Sequence, residues 1–157
     1  MPRLGRDATL LLVDDDPDLL PSLVATMEAL SDFTIITAAN GADALERVMN
    51  AHPDCVVIDV RMPQLDGFQV VRAIRGDPAT MNIPVVILTA LANDEDRFIG
   101  LASGVDQFLT KPARPRELLA AIETAMRLAD NERERQLSYL LNEVPPTPDT
   151  ATSEVPI

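Results

Sequence analysis

Four short apolar runs in this chain each lead directly into polar side chains of the kind that perform chemistry. These side chains are Asp14, Asp15 and Asp16 after residues 10–13, Asp59 after 56–58, Thr89 after 85–88, and Thr110 and Lys111 after 108–109. If the runs are parallel strands of one sheet, the polar groups all emerge at its carboxyl edge, where open α/β sheets bind their ligands. The sequence therefore predicts one pocket that holds carboxylates, a hydroxyl and an ammonium.

Strand-like and helix-like segments alternate five times, which predicts an α/β domain with right-handed crossovers. The predicted strands are 8–13, 33–37, 54–58, 84–88 and 105–109. The predicted helices are 17–30, 41–51, 66–75 and 93–102, followed by one that begins near residue 114. Asp16 before Pro17 predicts a capped helix start, and Gly104 predicts a helix end. The pairs Asn40-Gly41 and Asp66-Gly67 predict turns between a strand and a helix.

The balance of charge limits the partners that this chain can bind. It has 25 acidic and 13 basic residues and a net charge of -12, which disfavours nucleic acid and anionic membranes as main partners. Its single cysteine, Cys55, excludes an internal disulfide, and the first apolar run is too short for a signal peptide or a membrane span. We therefore expect a cytoplasmic protein that binds neither nucleic acid nor membrane.

The character of the sequence changes after residue 127. Residues 128–144 are charged but keep several leucines, so they either prolong the last helix or form a separate amphipathic one. These leucines fit a dimerisation surface and packing on their own domain equally well. Residues 145–157 contain four prolines and no basic residue, which predicts a disordered tail. We expect a folded domain at 7–127, a helical extension or linker at 128–144 and the tail at 145–157.

The residue types in the predicted pocket favour phosphoryl chemistry. Converging carboxylates repel one another, and a hard cation such as Mg²⁺ relieves that repulsion by accepting oxygen ligands. A carboxylate beside Mg²⁺ can also act as a nucleophile towards a phosphoryl group. Lys111, the only lysine beside twelve arginines, and Thr89 supply an ammonium and a hydroxyl that can stabilise the transferring group.

Taken together, four segments resemble the receiver domains of two-component response regulators over residues 7 to about 127. They are LLLVDDDPDLL, VVIDVRMPQLDGFQV, IPVVILTA and GVDQFLTKPARPREL. The resemblance implies a flavodoxin-like, doubly wound parallel sheet of five strands in the order 2-1-3-4-5, with helices on both faces.

The resemblance also implies roles for the acidic residues. Asp59 would accept a phosphoryl group from a phosphohistidine on a sensor histidine kinase or a histidine phosphotransfer protein. Asp15 and Asp59 would bind Mg²⁺ directly, Asp14 would bind it through water, and Arg61 would bind it through its backbone carbonyl.

The resemblance further implies a switch at the other two strands. Thr89 would bond the phosphoryl group, Lys111 would pair with it, and Phe108 would turn inward as Thr89 moves. The Lys111–Pro112 bond resembles the family's cis peptide. The loop 90–94 would rearrange, and the surface of the fourth helix, fifth strand and fifth helix would change its protein contacts.

On this interpretation the chain is a signalling switch that catalyses only its own phosphorylation and dephosphorylation, with phosphorelay shuttling as a variant. The residues two after Asp59 and two after Thr89 are Arg61 and Leu91, which in this family flank the phosphoryl group. Because Leu91 cannot orient a water molecule, we expect slow to moderate dephosphorylation. The family habit also leaves a homodimer open.

Two other functions are compatible with the same residues. The first is a scaffold with the receiver fold whose partner binding ignores phosphate. The second is a magnesium-dependent phosphohydrolase, which is disfavoured because Arg61 stands where a second acid is needed.

Three residues have structural interpretations that compete with functional ones. Asp16 fits a helix cap better than a metal ligand. His52 fits a solvated turn better than a phosphohistidine donor. Phe108 is either a switch residue or a simple core aromatic, since it lacks a tyrosine hydroxyl.

Overall fold

The computed structural model describes residues 7–90 and 104–142. It contains one five-stranded parallel sheet in the order β2-β1-β3-β4-β5. The strands are β1 Thr9–Val13, β2 Thr34–Ala38, β3 Cys55–Ile58, β4 Val85–Thr89 and β5 Gln107–Thr110. The predicted sheet order is confirmed, and each strand begins one or two residues after its predicted start.

Four helices are present in the described residues: α1 Leu19–Leu30, α2 Gly41–Ala51, α3 Gly67–Arg75 and α4 Pro115–Asn142. The helix predicted at 93–102, Leu91 within the predicted switch loop, and the tail predicted at 145–157 lie outside the described residues. The last described helix runs without interruption from Pro115 to Asn142.

The three central strands, β1, β3 and β4, are apolar along most of their length because both faces of the sheet are covered. Leu11 and Val13 belong to one buried cluster, which includes side chains of α2 and α3. Leu10 and Leu12 belong to a second cluster, which includes side chains of α1 and the first half of α4. This alternation with a period of two residues shows that the helices lie on both faces of the sheet.

Polar side chains cap two of the helices that follow strands. The Asn40 side chain accepts a hydrogen bond from the Asp43 backbone amide at the start of α2. Asp66 and Gln69 form a reciprocal capping box at the start of α3. Both turns were predicted from an Asx-Gly pair, and in both the glycine is the first helical residue.

The start of α1 differs from the prediction. The helix begins at Leu19 rather than at Pro17, and Asp18 is the residue before it. Asp16 nevertheless accepts hydrogen bonds from the backbone amides of Asp18 and Leu19 at 2.9 and 3.2 Å. Its carboxylate thus satisfies amides at the helix start, as predicted, although the helix starts two residues later.

The chain divides into two compact units between Met126 and Arg127. Among residues 7–90 and 104–142, no helix is both long enough and apolar enough to cross a membrane.

Candidate functional site

The backbone beyond the strands continues the parallel hydrogen bonding and so fixes the side chains that follow. The Asp14 amide donates to the Ala38 carbonyl at 3.2 Å, and the Asp59 amide donates to the Val13 carbonyl at 3.1 Å. The Lys111 amide donates to the Thr89 carbonyl at 2.7 Å. The residues after β1, β3 and β5 therefore start from defined positions at the carboxyl edge of the sheet.

Three carboxylates meet at this edge, as the sequence predicted. Oxygen atoms of Asp14, Asp15 and Asp59 lie within 4.8 Å of one another. Asp14 and Asp59 are buried, whereas Asp15 is exposed. Carboxylates held this close repel one another unless positive charge lies among them.

Lys111 supplies part of that positive charge. Its Nζ atom donates to Asp14 Oδ2 at 2.7 Å and to Asp59 Oδ2 at 3.1 Å. Burial alone would lower the pKa of Lys111, but its hydrogen bonds to Asp14 and Asp59 and their charges outweigh burial and raise the pKa. The ammonium therefore stays charged throughout the neutral pH range.

The donor set at this edge fits a divalent cation. Three acidic side chains face one ammonium, so the formal charge of the cluster is negative. The ligands are hard oxygen atoms, and one of the three carboxylates faces solvent, so a bound ion would keep water molecules. These are the properties of a magnesium site.

Arg61, which was also predicted to hold the metal, and Asp16, which was predicted to cap a helix, are placed differently from the three carboxylates. The Arg61 backbone amide lies 3.4 Å from Asp59 Oδ1, and the Arg61 side chain is exposed. The predicted role of its carbonyl stays a prediction. Asp16 is absent from the carboxylate cluster found among the described residues. Hydrogen bonds from the amides of Asp18 and Leu19 lower its pKa, which is the behaviour of a helix-capping carboxylate.

Thr89 and Phe108 lie on the two strands that lead to Lys111. Thr89 is almost fully buried at the end of β4, where it pairs with Thr110. Phe108 pairs with Ile87 and packs, half-buried, against the cluster on the α2 and α3 side of the sheet. The core interpretation and the switch interpretation of Phe108 both remain predictions.

The predicted backbone features near the site are partly tested. The Lys111–Pro112 peptide bond is cis, as the resemblance implied. His52 is exposed in a left-handed turn at the end of α2, as expected for a solvated turn residue.

The sequence alone did not identify Gly67 as a residue that packs against the backbone of Asp59. A Cβ atom at Gly67 would lie 2.4 Å from the Asp59 carbonyl oxygen and 2.9 Å from the Val60 Cα atom. The Gly67 amide also donates to the Val60 carbonyl at 2.9 Å. Only glycine allows α3 to start this close to the residue that follows β3. The pair Asp66-Gly67 indicated the turn but not this contact.

Sequence reasoning also missed a charged cluster at the opposite edge of the sheet. Arg75 donates to the carbonyls of Gly104, Met81 and Ile83 and to Asp106 Oδ2. Asp106 Oδ2 also accepts from the Val85 amide at 2.7 Å. No motif marks Arg75, because its partners are mainly backbone carbonyls of distant residues.

Comparison with protein families gives a match over residues 10–123 to the response regulator receiver domain. Among curated proteins, the chain is 41% identical to the transcriptional regulatory protein PrrA of Mycobacterium leprae over 74% of this chain and 49% of that protein. It is 39% identical to the response regulator Rre1 of Synechocystis sp. over 78% of this chain and 53% of that protein. The chain therefore spans about half the length of these relatives.

Solved structures have the same fold. The chemotaxis protein CheY4 of Vibrio cholerae aligns with a TM-score of 0.70 and 30% identity over 75% of this chain and 98% of that one. The receiver domain of the sensor histidine kinase PA1611 from Pseudomonas aeruginosa aligns with a TM-score of 0.70 and 28% identity over 76% of this chain and 98% of that one. That structure has a magnesium ion coordinated in its active-site cleft.

Proposed function

The chain belongs to the response regulator receiver domain family, and on that premise we propose that Asp59 is its phosphoryl acceptor and that phosphorylation switches its protein contacts. The observation that supports this most is the cluster of Asp14, Asp15 and Asp59 bridged by Lys111. It combines a buried nucleophile, a cation site and a fixed positive charge at one edge of the sheet.

The proposed transfer is a displacement at phosphorus. A carboxylate oxygen of Asp59 forms a bond to the phosphorus atom of a phosphohistidine while the nitrogen–phosphorus bond of the donor breaks. The leaving nitrogen takes the bonding electron pair and then a proton from water, so the donor leaves as neutral histidine. In dephosphorylation, water attacks the same phosphorus atom and the bond between phosphorus and the Asp59 oxygen breaks. Inorganic phosphate leaves, and Asp59 is again a free carboxylate.

Other side chains of the site stabilise the charge that moves in this step. Asp14, Asp15 and Asp59 would hold Mg²⁺, with the Arg61 carbonyl as a further ligand, and the ion would neutralise phosphoryl oxygens. Lys111 lies 3.1 Å from Asp59 Oδ2, so its ammonium can pair with a phosphoryl oxygen. Thr89 would donate its hydroxyl to another such oxygen after a local movement.

The proposed output is a change of protein partner. The bond between phosphate and Thr89 would shift β4 and β5, and Phe108 would follow because its strand pairs with β4. Phosphate thus acts as a local charge change that biases two arrangements of the domain. The receiver would act only on itself and not on a separate small-molecule substrate.

The partners and boundaries belong to the same proposal. The phosphoryl donor is a sensor histidine kinase or a histidine phosphotransfer protein in the cytoplasm. Residues 7–127 form the receiver, 128–144 form an extension, and 145–157 form a tail. Transcriptional regulators occur among the relatives, but the net charge of -12 on this chain disfavours DNA as its partner, and we propose a downstream protein instead.

Intact mass after incubation with Mg²⁺ and acetyl phosphate tests the acceptor directly. We expect one added phosphoryl group in the wild type and none in Asp59→Asn. Asp16→Asn is the matched control, because the same chemical change is made at an exposed aspartate outside the cluster, and it should retain the adduct.

Two results would redirect the proposal. Absence of an adduct, together with no binding of beryllofluoride, would favour the phosphate-independent scaffold. Sustained turnover of a small phosphate ester, well above the rate of self-dephosphorylation, would favour the phosphohydrolase.

A further inference from the structure

The first residue of α2 lies against the loop that joins β3 to α3. A Cβ atom at Gly41 would lie 2.5 Å from the Leu65 carbonyl oxygen and 2.8 Å from the Leu65 Cβ atom. Nonbonded heavy atoms rest at about 3.5–4.0 Å from each other, so a side chain fits here only if one of the two segments moves. Gly41 therefore brings the start of α2 into direct contact with the backbone of this loop.

The loop is held at both of its ends. It begins with Asp59, directly after β3, and it ends where Gly67 starts α3. The Gly67 amide donates to the Val60 carbonyl at 2.9 Å, and within the loop the Leu65 amide donates to the Pro63 carbonyl at 2.8 Å. Because both ends are fixed and the turn is tight, a displacement at Leu65 changes the shape of the whole loop.

The helix moves less readily than the loop. Ala44 and Val48 of α2 are buried in the core cluster on that side of the sheet, and close-packed cores resist shifts of the elements that form them. The loop is less constrained, and Arg61 is among its exposed residues. A methyl group added at Gly41 would therefore displace the loop, including the backbone around Arg61.

This displacement matters at the metal site. The Arg61 carbonyl is the proposed metal ligand of the loop, and the Arg61 amide donates to Asp59 Oδ1 at 3.4 Å. We propose that Gly41 is a positioning residue of the magnesium site, because its missing side chain sets where this loop presents its oxygen to the ion. The inference rests on the proposed function, which assigns the Arg61 carbonyl and the Asp59 carboxylate to Mg²⁺.

Titration of the full chain with Mg²⁺, followed by the backbone amide signals of Asp59 and Arg61 in NMR spectra, tests this proposal. Gly41→Ala should weaken Mg²⁺ binding about tenfold, which is the typical loss when a residue that supports the ligands of a metal is changed. Urea denaturation of the same variant shows how much of the chain is folded. The affinity is then compared among folded proteins only.

Asn40→Ala is the matched control at the same helix start. The Asn40 side chain accepts a hydrogen bond from the Asp43 amide at 2.8 Å, so this variant loses the cap of α2 and should unfold at a lower urea concentration. It adds no atom against Leu65, and it should bind Mg²⁺ as tightly as the wild type. A purely structural role of Gly41 would instead give the two variants the same Mg²⁺ affinity.

Leu65→Ala tests the same contact from the side of the loop. Its fold should survive because Leu65 is only partly buried, so it decides the question if Gly41→Ala does not fold. It removes side-chain atoms that lie against Gly41, and it should also weaken Mg²⁺ binding. Wild-type Mg²⁺ affinity in Leu65→Ala, or in a folded Gly41→Ala, would overturn the proposal.

Two further outcomes have distinct meanings. An equal loss of Mg²⁺ affinity in Asn40→Ala would overturn the proposal, because it would trace the loss to the stability of α2. Failure of the proposed function would appear elsewhere, as a wild type that takes up no phosphoryl group from acetyl phosphate. The Mg²⁺ affinities of the variants do not depend on that result.

Discussion

The two charged clusters of the sheet lie at its opposite edges and are built on different principles. At the carboxyl edge, three carboxylates face one ammonium, and the cluster keeps an excess of negative charge. At the amino edge of β4 and β5, Arg75 faces Asp106 at 2.8 Å, so the charges balance. Both clusters join distant parts of the chain, but only one leaves charge for a ligand to neutralise.

Hydrogen bonding distinguishes the clusters in the same way. The Arg75 guanidinium donates to three backbone carbonyls and one carboxylate, and Asp106 also accepts from a strand amide. These bonds fix α3 against the starts of β4 and β5. The comparison teaches that a converging set of charges indicates function when it is unbalanced, and indicates structure when its donors and acceptors are matched.

The largest effect should follow from removing the ammonium at the carboxyl edge. Lys111→Ala takes away a charged donor that pairs with the phosphoryl group, and such a loss costs about 100-fold in rate. The measurement is the rate of phosphorylation by acetyl phosphate, followed by intact mass. Arg116→Ala removes an exposed cation from the start of α4 and should leave the rate unchanged. A Lys111→Ala rate within threefold of wild type would contradict the assigned role.

Removing Arg75 should lower the stability of the fold and leave the phosphorylation rate almost unchanged. Arg75→Ala removes the guanidinium that donates to three carbonyls and one of the two donors to Asp106, so the free energy of unfolding should fall by about 2–3 kcal/mol. Urea denaturation measures this change. The phosphorylation rate of the folded variant should stay within a few-fold of wild type, because Arg75 lies at the other edge of the sheet. A rate loss as large as that of Lys111→Ala would show that the two edges are not separate in function.

Substitution of Gly67 should have a smaller effect, and it tests how closely the carboxyl edge is packed. Gly67→Ala forces a methyl group against the Asp59 carbonyl, and we expect a loss of about 1–2 kcal/mol in stability together with slower phosphorylation. Gly76→Ala is the control, since its Cβ atom would lie 3.3 Å from the nearest atom, the Arg72 carbonyl oxygen. If both substitutions had equal effects, the close approach at Gly67 would have no special importance.

Much of the fold could be predicted because its signals are local. Apolar runs such as Val56–Ile58 predict buried strands, and the Asx-Gly pairs mark the starts of α2 and α3. The predicted start of α1 is two residues too early, because Asp16 accepts bonds from the amides at the helix start while lying outside the helix. A cap motif predicts which side chain accepts the bonds more reliably than it predicts the first helical residue.

The carboxyl-edge cluster was predictable because each of its residues is the first or second residue after a strand. Parallel strands bring such positions together whatever the intervening sequence is. The contacts of Arg75 and Gly67 could not be predicted in this way. The Arg75 side chain bonds backbone carbonyls elsewhere in the chain, and Gly67 lies against the backbone of Asp59 and Val60. Every residue has the same backbone groups, so such contacts leave no signal in the sequence.

The smallest expected effect is a difference between the two clusters in how their contribution to the unfolding free energy depends on pH. The pKa of Lys111 is raised in the folded chain, so its pairing stabilises the fold fully below the pKa of the unfolded lysine, about 10.4. That contribution, roughly 1 kcal/mol for a partly exposed pair, is lost as pH rises through the folded pKa. The difference in unfolding free energy between wild type and Lys111→Gln should therefore be constant from about pH 7 to 9 and shrink above about pH 10.

The corresponding difference for Arg75→Ala should not shrink in the same way, because most of the bonds that Arg75 makes go to backbone carbonyls, which do not titrate. Denaturant unfolding of wild type, Lys111→Gln and Arg75→Ala at several alkaline pH values measures both differences. If the two decline together, alkaline loosening of the whole domain explains the effect. If the Lys111 difference alone declines, its ammonium is the group that holds the carboxylates together, and the two edges of the sheet respond separately to charge.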